Sequence, residues 1–417
     1  MEDFSIITII GIFIQFISFL IGMYHVIIGM AGFIPLKDKN AVETCKINKF
    51  ALIVSAHNEE NVIGNLLHSL KSLDYPKDSY DIFVIADNCT DDTAEAARIA
   101  GALVFERVSE NRGKGYALEW MFKKLCTFEK QYDYVSIFDA DNLVDKNFLS
   151  EINKQANKGH EVIQGYVDSK NPFDSWITSS YSLSFWTMSR TFQLARYRLG
   201  LCCQLMGTGF AISVDTLKEI GWGATCLTED MEFTIKLALS GKKAAWAHNA
   251  RIYDEKPVEL INSWRQRKRW MQGHCDVASR YFFKLIKKSF KEIKLTPLDC
   301  AVYLVQPIRI ITMGIIMFFG YAQTFHPSGD IGFVQLSYLF DSPVIWNTLS
   351  ILNMLYMPFV VTLERRTFNL KYLLAYLIYP LYNLTWIPIA IQGLTDKNKK
   401  DWYHTKHTRN ISIDEIK

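Results

Sequence analysis

Short apolar runs alternate with amphipathic stretches over much of the first half of the chain. The runs of strand type are residues 50–54, 81–86, 102–105 and 134–138. Helical spacing of apolar positions follows the first run, at Val62, Ile63, Leu66, Leu67 and Leu70, and returns in residues 93–100 and 115–124. Strands that alternate with helices predict an α/β domain built on a mostly parallel sheet.

The two ends of the chain differ from this pattern, because they contain long segments without charge. Residues 4–36 lack Asp, Glu, Lys and Arg, and a helix needs only roughly 20 residues to cross a bilayer. The acidic start does not resemble the basic first region of a signal peptide, so an uncleaved membrane helix is the better interpretation. The uncharged segments 310–329, 342–363 and 372–395 predict three more membrane segments.

One charged residue, Arg309, falls within the first of these C-terminal segments if that segment begins near Leu298. An arginine at this depth either extends to the lipid interface or faces a polar substrate path. The sequence favours neither of the two. The last segment contains Pro380, Asn383 and Pro388, so it could be re-entrant or interfacial instead of spanning.

Basic residues beside the uncharged segments predict the orientation of the chain. Lysines follow the first segment, from Lys37 to Lys49, and others precede the second, from Lys284 to Lys294. Both flanks place the intervening domain in the cytoplasm, within a multi-pass protein of the cell membrane. Three C-terminal spans would put the basic tail on the opposite side, against the same rule, so the number of spans stays open.

These patterns divide the chain into five parts. A membrane helix is predicted in residues 1–36, a cytoplasmic domain in 37–280, a basic interfacial segment in 281–297, a membrane region of about three segments in 298–396, and a basic tail in 397–417. The basic segment alternates lysines with apolar residues. It would lie on anionic membrane lipids or form a solvated linker.

Composition narrows the classes of function. The 417 residues contain 46 Lys and Arg against 43 Asp and Glu, a net charge of +3, which argues against a nucleic-acid partner. An apolar share of 49% excludes a disordered chain. The eight cysteines show neither C-x-x-C nor metal-ligand spacing, so free thiols in a reducing cytoplasm are expected.

Polar clusters follow three of the predicted strands, at residues 57–60, 87–92 and 139–142. In such sheets, ligands bind beyond the carboxyl ends of the strands. Asp139 and Asp141 could share a divalent cation whose remaining ligands come from a diphosphate, although a helix N-cap is the alternative. Asp87 could accept hydrogen bonds from a base or a ribose, or could simply belong to a turn.

Three further clusters carry candidate chemistry. Lys114 follows Gly113 at the start of a helix, where backbone and charge both favour phosphate, without the spacing of a P-loop. Residues 228–230, Thr-Glu-Asp, open a helical pattern and would also be explained by capping. The basic run 264–270, with a tryptophan at each end, is either a solvated helix face or a lid that holds a diphosphate and a sugar ring.

Taken in order, these clusters resemble the D, D-x-D, T/E-E-D and Q-x-x-R-W series of family 2 glycosyltransferases. The likeness is to the membrane-embedded synthases of cellulose, hyaluronan, chitin and poly-N-acetylglucosamine. Residues 55–60, 113–118 and 207–210 are similar as well, so the resemblance covers about residues 50–280. It implies a GT-A type nucleotide-sugar-binding domain flanked by transmembrane helices. Asn142 departs from the pattern, since cellulose synthases often have a histidine there, and their gating-loop motif has no clear counterpart.

The resemblance also implies roles for individual residues. It assigns Asp230 as the catalytic base and Asp141, with Asp139, as the site of Mg²⁺ or Mn²⁺. The nucleotide-sugar site would consist of Ala56, Glu59, Asp87, Lys114 and Asp139. The acceptor and diphosphate site would consist of Glu229, Gln266, Arg269 and Trp270.

The function that follows from the resemblance is inverting transfer of a hexose or N-acetylhexosamine from a UDP-sugar to a growing β-linked polysaccharide. The expected partners are the donor, a saccharide or lipid acceptor, membrane lipids and, as a further candidate, an accessory export subunit. One alternative is transfer of a single sugar to a lipid. A more remote alternative is a catalytically inactive membrane scaffold.

Overall fold

The computed structural model describes residues 6–35, 46–223, 226–325, 343–366, 370–399 and 409–416. At its centre is one eight-stranded sheet. The strands are β1 (Phe50–Ala56), β2 (Tyr80–Asp87), β3 (Leu103–Arg107), β4 (Tyr134–Asp139), β5 (Leu143–Val144), β6 (Val162–Ser169), β7 (Phe210–Ser213) and β8 (Ala244–Asp254). Their order in the sheet is β3-β2-β1-β4-β7-β6-β8-β5.

The sheet has a parallel half and a mixed half. Strands β3, β2, β1 and β4 are all parallel, and β6 and β8 are parallel to each other. In contrast, β7 runs antiparallel to both of its neighbours, and β5 runs antiparallel to β8. The predicted α/β class with a mostly parallel sheet is therefore confirmed, and the four strands predicted from apolar runs are β1 to β4.

The helices cover both faces of the sheet and extend the chain beyond it. Within the described ranges they are α1 (Ile6–Met30), α2 (Ile63–Lys71), α3 (Thr93–Ile99), α4 (Lys114–Leu125), α5 (Phe148–Asn157), α6 (Trp176–Met188), α7 (Ala195–Arg198), α8 (Val214–Ile220), α9 (Glu229–Ser240), α10 (Leu260–Glu292), α11 (Leu295–Leu304), α12 (Gln306–Phe325), α13 (Pro343–Arg365), α14 (Leu370–Leu384) and α15 (Trp386–Thr395). A π-helical segment, Ser189–Leu194, joins α6 to α7.

Strand β1 shows why its sequence is apolar without alternation. Phe50, Leu52 and Val54 pack with the cluster that includes α2 and α5, while Ala51 and Ile53 pack with the opposite cluster, which includes α4. Because both faces of the strand are covered, every position except the half-buried Ser55 is buried, as is usual for strands of a parallel sheet. Strand β1 pairs with both β2 and β4, so its register determines where these neighbours end relative to each other.

Two helical segments are long and apolar enough to cross a membrane within the described residues, Ile9–Phe33 and Leu370–Thr395. The pair α11 and α12, bent by 51°, forms a third candidate if it counts as one span. Large apolar side chains of α1 face outwards, with Phe13 64% exposed, as expected for contact with lipid. Residues 36–45 and 326–342, which include Lys37, Lys39 and parts of two predicted spans, lie outside the described residues, and the predicted number of spans remains a prediction.

Helix α10 continues across residue 281, where the predicted cytoplasmic domain ends and the predicted basic segment begins. It is one continuous helix of 33 residues that begins inside the proposed cytoplasmic domain and includes most of the basic segment. Residues 281–292 are therefore an extension of α10, because no Gly or Pro in them interrupts the helical pattern. Leu285 on this extension is fully buried, whereas Phe283 and Phe290 are exposed.

The end of the chain lies against the domain that contains the sheet. The backbone N–H of Arg409 donates to both carboxylate oxygens of Glu255 at 3.2 Å, and its guanidinium is 2.9 Å from Asp174. The next residue, Asn410, hydrogen-bonds with Asn65. The described part of the tail therefore packs against this domain.

Candidate active site

The parallel half of the sheet brings the first polar clusters together at one edge. Register pairs Ala56 of β1 with Ala86 of β2, and Ser55 with Asp139 of β4. As a result, the residues that end these strands, including Asp87, lie side by side. A cavity of about 950 Å³ opens at this edge.

Nearly all of the predicted site residues line this one cavity. They are Glu59, Asp87, Lys114, Asp139, Asp141, Glu229, Asp230, Gln266, Arg269 and Trp270. The exception is Ala56, which is only 2% exposed and does not line the cavity, whereas its neighbours Ser55 and His57 do. The sequence clusters thus converge in space, although they span more than half of the chain.

Asp87 is held in place by an arginine that the sequence analysis missed. Arg107, which ends the neighbouring strand β3, places its guanidinium 2.5 Å from the Asp87 carboxylate, and both side chains are less than 10% exposed. Arg107 also donates to the carbonyl oxygen of Asn111 at 2.8 Å. The ring of His57 contacts the Asp87 carbonyl oxygen at 2.7 Å. Asp87 is therefore an oriented, buried carboxylate and not a residue of a solvated turn.

Breaking this buried pair should destabilise the protein. We expect Arg107→Gln to lower the stability by about 3–5 kcal/mol, because the Asp87 charge would remain buried without its partner. That loss corresponds to a fall in Tm on the order of 10 °C, measurable by thermal unfolding in detergent. Arg98→Gln is the matched control, since the Arg98–Glu106 pair is exposed and exposed ion pairs contribute little to stability. Equal Tm values for the two variants would contradict the assignment.

Lys114 connects the edge of the sheet to the loop before β7. Its ammonium group pairs with Asp139 and donates to the Gly207 carbonyl oxygen at 2.7 Å. Gly113, directly before α4, has a φ of 116°, which residues with a side chain rarely adopt. Burial acts to lower the pKa of Lys114, but the charges of Asp139 and Glu229 outweigh it and raise that pKa above its usual value. Lys114 is therefore a fixed cation at the cavity wall.

Asp139 and Asp141 do not cap a helix, because the chain turns after β4 and enters β5. The Asp139 side chain is 38% exposed, whereas Asp141 is buried and accepts a hydrogen bond from the Glu255 backbone N–H at 3.3 Å. Within the described residues, no group of three or more His, Cys, Asp or Glu could hold a metal ion by itself. Two carboxylate ligands suit Mg²⁺ or Mn²⁺ when a substrate and water supply the other oxygens.

Asn142 is the residue that departs from the sequence pattern of the cellulose synthases. It has a structural role next to Asp139 and Asp141. Its side-chain oxygen accepts hydrogen bonds from the Asp139 backbone N–H and from the Thr208 hydroxyl. Its amide nitrogen is 3.2 Å from Asp254. Asn142 therefore fixes the turn that carries Asp139 and Asp141.

The first turn of α9 brings two acids to the cavity opposite Asp139. Burial raises the pKa of Asp230 to about 7, and the charge of Glu229 adds to this effect. Burial also raises the pKa of Glu229, against the attraction of Lys114. Thr228 stands at the N-cap position, but its side chain makes no capping hydrogen bond. Capping alone, the structural alternative, therefore does not account for the Thr-Glu-Asp cluster.

Helix α10 separates the basic run 264–270 into two faces. Gln266, Arg269 and Trp270 line the cavity, with Gln266 accepting a hydrogen bond from Tyr181 at 2.9 Å. In contrast, Arg267 is fully buried, 2.7 Å from the Thr385 hydroxyl, with its guanidinium 4.3 Å from the ring centre of Tyr382. One side of this run therefore lines the cavity, and Arg267 on the other side anchors α10 to α14. The run as a whole is neither a solvated helix face nor a basic lid.

The cavity continues between the apolar helices of the C-terminal region. Its lining there comprises Tyr303, Gln306, Arg309, Ile310, Met313, Gly314, Met317, Tyr379, Asn383, Leu384, Trp386 and Ile387. The sequence analysis singled out Arg309 and Asn383 among these residues, and the structure places both on the cavity. Tyr303, Gln306, Tyr379 and Trp386 could have been found as polar and aromatic residues inside otherwise apolar segments.

Residues 48–273 match the sequence model of the family described as "Glycosyltransferase like family 2". The match covers more than half of the chain, and the chain belongs to this family of enzymes. Along 92% of its length it is 23% identical to the probable glycosyltransferase YdaM of Bacillus subtilis, 94% of which is covered.

Two relatives with more specific names match over shorter stretches. The chain is 29% identical to the beta-monoglucosyldiacylglycerol synthase of Synechocystis, over 57% of this chain and 50% of that protein. It is 26% identical to the poly-beta-1,6-N-acetyl-D-glucosamine synthase of Staphylococcus aureus, over 60% of this chain and 61% of that one. The chain thus spans half and about three fifths of the lengths of these two synthases.

Among solved structures, the mannosyltransferase PcManGT of Pyrobaculum calidifontis, in complex with GDP-mannose and Mn²⁺, has a similar fold. The TM-score is 0.55 at 16% identity, covering 89% of this chain and 99% of that one. This likeness supports the GT-A type fold expected from the sequence.

Proposed function

We propose that the protein is an inverting glycosyltransferase that moves a hexose or N-acetylhexosamine from a UDP-sugar to a growing β-linked polysaccharide at the cytoplasmic side of the cell membrane. The observation that carries this proposal is the continuity of the cavity. It begins at Asp87 and Asp139, passes Asp230 and Trp270, and ends between α12 and the pair α14 and α15. Donor, acceptor and exit path can thus share one space.

The sheet edge provides the donor side of the proposed site. Asp87 is oriented by Arg107 to accept hydrogen bonds from the uridine, and Glu59 lies next to it on the cavity wall. Ala56 is buried and does not line the cavity. Its position would contribute to the uridine site through the backbone of its neighbours Ser55 and His57. Lys114 and Arg269 face the place where a diphosphate would bind, since both act on the Asp230 carboxyl from the cavity wall. The donor sugar itself is not distinguished by these contacts.

A divalent cation fits the pair Asp139 and Asp141. One carboxylate is accessible from the cavity, the other lies beneath it, and no third protein acid completes the set within the described residues. The diphosphate of the donor would complete the coordination. When bound, Mg²⁺ or Mn²⁺ would neutralise the charge that develops on the leaving UDP.

Asp230 is the proposed general base. It would take the proton of the acceptor hydroxyl as that oxygen forms a bond to the anomeric carbon and the bond from this carbon to the diphosphate breaks. Lys114 and Arg269 would stabilise the negative charge on the leaving group. A single displacement inverts the anomeric centre, so an α-linked donor gives a β-linked product.

The pH dependence of transfer follows from the environment of Asp230. The base must be unprotonated, and burial, followed by the charge of Glu229, raises its pKa to about 7. Activity should therefore be lost as the pH falls through that value. We expect kcat/KM to be about tenfold lower at about pH 6 than at about pH 8, measured with labelled donor at saturating cation. A flat profile over this range would contradict the assignment.

The membrane-side lining supports a saccharide chain as the acceptor. Trp270, Tyr379 and Trp386 provide aromatic faces, and Arg309 and Asn383 provide hydrogen-bonding groups. Amphipathic aromatic rings suit sugar rings, which have both an apolar face and polar edges. Polar residues within apolar helices typically mark a substrate path.

Transfer of one sugar to a lipid is the second candidate, favoured by the apolar part of the same lining. Ile310, Met313, Met317, Leu384 and Ile387 would suit a hydrocarbon chain that enters from the bilayer. The similarity to the Synechocystis glucolipid synthase agrees with this alternative. The two candidates share the chemistry at Asp230 and differ only in the acceptor.

Product size distinguishes the two candidates. Membrane vesicles that contain the protein are incubated with a panel of labelled UDP-sugars, and the product is divided by solvent extraction and gel filtration. A polymer retained on the column supports the first candidate, and a single-sugar lipid in the organic phase supports the second. Absence of transfer from every donor would favour the inactive scaffold.

A matched pair of variants sharpens this test. Asn383→Leu removes a polar group from the membrane-side lining and should shorten a polymeric product. Thr312→Val, on α12 outside the lining, is the control. Equal product lengths for both variants would count against a saccharide path along Asn383.

A further inference from the structure

A second polar cavity of about 580 Å³ lies on the far side of β6 and β8 from the candidate active site. Its lining comes from the end of β6, the π-helical segment, β8, the end of α13 and the described tail. These residues include Lys170, Arg190, His248, Asn249, Arg251, Tyr253, Glu364, Arg365, Arg366 and Arg409. Within the described part of the chain, no residue lines both cavities.

The charges of this cavity are strongly unbalanced around two buried carboxylates. Arg251 and Arg365 share one oxygen of Asp168, at 3.2 and 2.9 Å. Arg190 pairs with Glu364. Arg366 is exposed and has no ion-pair partner among the described residues. Among the described residues, five arginines and Lys170 line the cavity, against Glu364, Glu415 and the neighbouring Asp168. Arg409 pairs with Asp174, and Lys170 lies 3.7 Å from Glu255.

Asp168 is already saturated with hydrogen bonds, so it cannot neutralise more charge. The Trp186 ring N–H donates to its other oxygen at 2.7 Å, as does the Ser169 backbone N–H at 2.8 Å. Glu364 likewise accepts a hydrogen bond from the Tyr166 hydroxyl at 3.1 Å. Within the described residues, the exposed guanidinium of Arg366 is therefore available to an anion from outside the protein.

The pKa of His248 reflects both the burial and the charges of this cavity. Its ring nitrogen is 3.6 Å from Glu364, and a nearby carboxylate would ordinarily favour the charged ring. Burial nevertheless lowers the pKa of His248 to about 3, with Arg190, Arg251, Arg198 and Arg366 acting in the same direction. Burial is the main cause of this low pKa, and the four arginines add to it.

The contacts of this cavity with the ends of α1 and α13 indicate its depth relative to a lipid bilayer. Arg190 and Arg198 donate to the carbonyl oxygens of Gly32 and Ala31 at 3.1 Å, just after α1 ends. Phe33 stacks on Phe359 of α13 at 5.8 Å between ring centres. The cavity is thus at the ends of two apolar helices that face the catalytic domain. Phospholipid headgroups occupy this level of a bilayer, and arginine is the side chain best suited to hold a phosphate.

We propose that this cavity binds a phosphate group, and that its source is the headgroup of an anionic phospholipid. The guanidinium groups of Arg251, Arg365 and Arg366 surround the phosphate, and the acyl chains lie along α1 and α13. Such a lipid would stabilise the contact between the catalytic domain and the two helices. The proposal does not depend on which sugar or acceptor the enzyme uses.

The test compares the thermal stability of the full-length protein in nanodiscs of different composition. The three conditions are phosphatidylcholine alone, phosphatidylcholine with phosphatidylglycerol, and phosphatidylcholine with added pyrophosphate. We expect phosphatidylglycerol to raise the Tm and one molecule of it to be retained in native mass spectrometry. For Arg366→Gln, the loss of a charge-assisted contact should weaken retention roughly tenfold.

Arg98→Gln is the matched control, because it removes an arginine charge from an exposed surface outside the cavity. It should retain the lipid as the wild type does. A Tm increase with pyrophosphate that is lost in Arg366→Gln, without an increase with phosphatidylglycerol, would support the phosphate site and overturn the lipid source. The comparison with Arg366→Gln is needed because pyrophosphate can also bind beside Lys114 and Arg269. No increase in either condition, or equal retention by Arg366→Gln and Arg98→Gln, would overturn the site. Arg366 is exposed and has no ion-pair partner in the described part of the chain, so its replacement does not threaten folding.

Discussion

Replacing Asp230 with asparagine is expected to lower sugar transfer roughly 10³-fold while leaving the binding of UDP close to that of the wild type. The amide keeps the shape of the side chain but cannot take the proton of the acceptor hydroxyl, and a positioned base typically contributes about 10²–10⁴-fold. Transfer is measured with labelled donor, and UDP binding by calorimetry. Substantial remaining transfer would rule out Asp230 as the base.

Stability separates loss of the base from loss of the fold. Burial disfavours the ionised form of Asp230, so its folded-state pKa is raised from 3.8 to about 7. The ionised group therefore lowers stability increasingly as the pH rises between these values, and asparagine removes that cost. At about pH 8 the variant should melt at or above the wild-type temperature. Asp78→Asn, at an exposed position, is the control and should change neither activity nor Tm.

Removing the divalent cation is expected to stop transfer, and Mn²⁺ or Mg²⁺ should restore it after EDTA. Asp141→Asn should lower activity at least about 10²-fold at low cation concentration, because the charge on the leaving diphosphate then lacks its neutralising partner. Activity is measured across a Mn²⁺ titration. Part of the loss should be recovered at high Mn²⁺, since Asp139 remains.

A structural role for Asp141 would give a different result. Its carboxylate accepts the Glu255 backbone N–H, so the variant could be less stable for that reason alone. In that case the Tm would fall while the Mn²⁺ concentration for half-maximal activity stayed the same. Full activity of the wild type in chelator would remove the cation from the mechanism.

The parallel half of the sheet and its polar edge could be predicted because both depend on local pattern. Buried strands such as β1 and β4 give continuous apolar runs, and the residues that follow them in sequence, such as Asp139, also follow them in space. Asp87 was found in this way. Its partner Arg107 was not, because their pairing depends on the register between β2 and β3, which no single segment determines.

The basic run on α10 shows a second limit of sequence reasoning. Composition cannot tell Arg267 from Arg269, since both are arginines in one helix. What separates them is the helix period together with the aromatic partners Tyr382 and Trp386, which come from a distant part of the chain. The position of the tail likewise depends on contacts, such as Arg409 with Glu255, that charge counting cannot reveal.

Helix α10 also has a consequence for protein engineering. Gly273 lets it pack directly on Thr228, before the helix of the proposed base, and Gly393 lets α15 pack directly on Met271. A Cβ at either glycine would overlap the opposing residue. Helix α10 is therefore a closely packed contact between the catalytic domain and the C-terminal helices. A chimaera that exchanges the membrane part with that of a relative should fold only if α10 is exchanged with it.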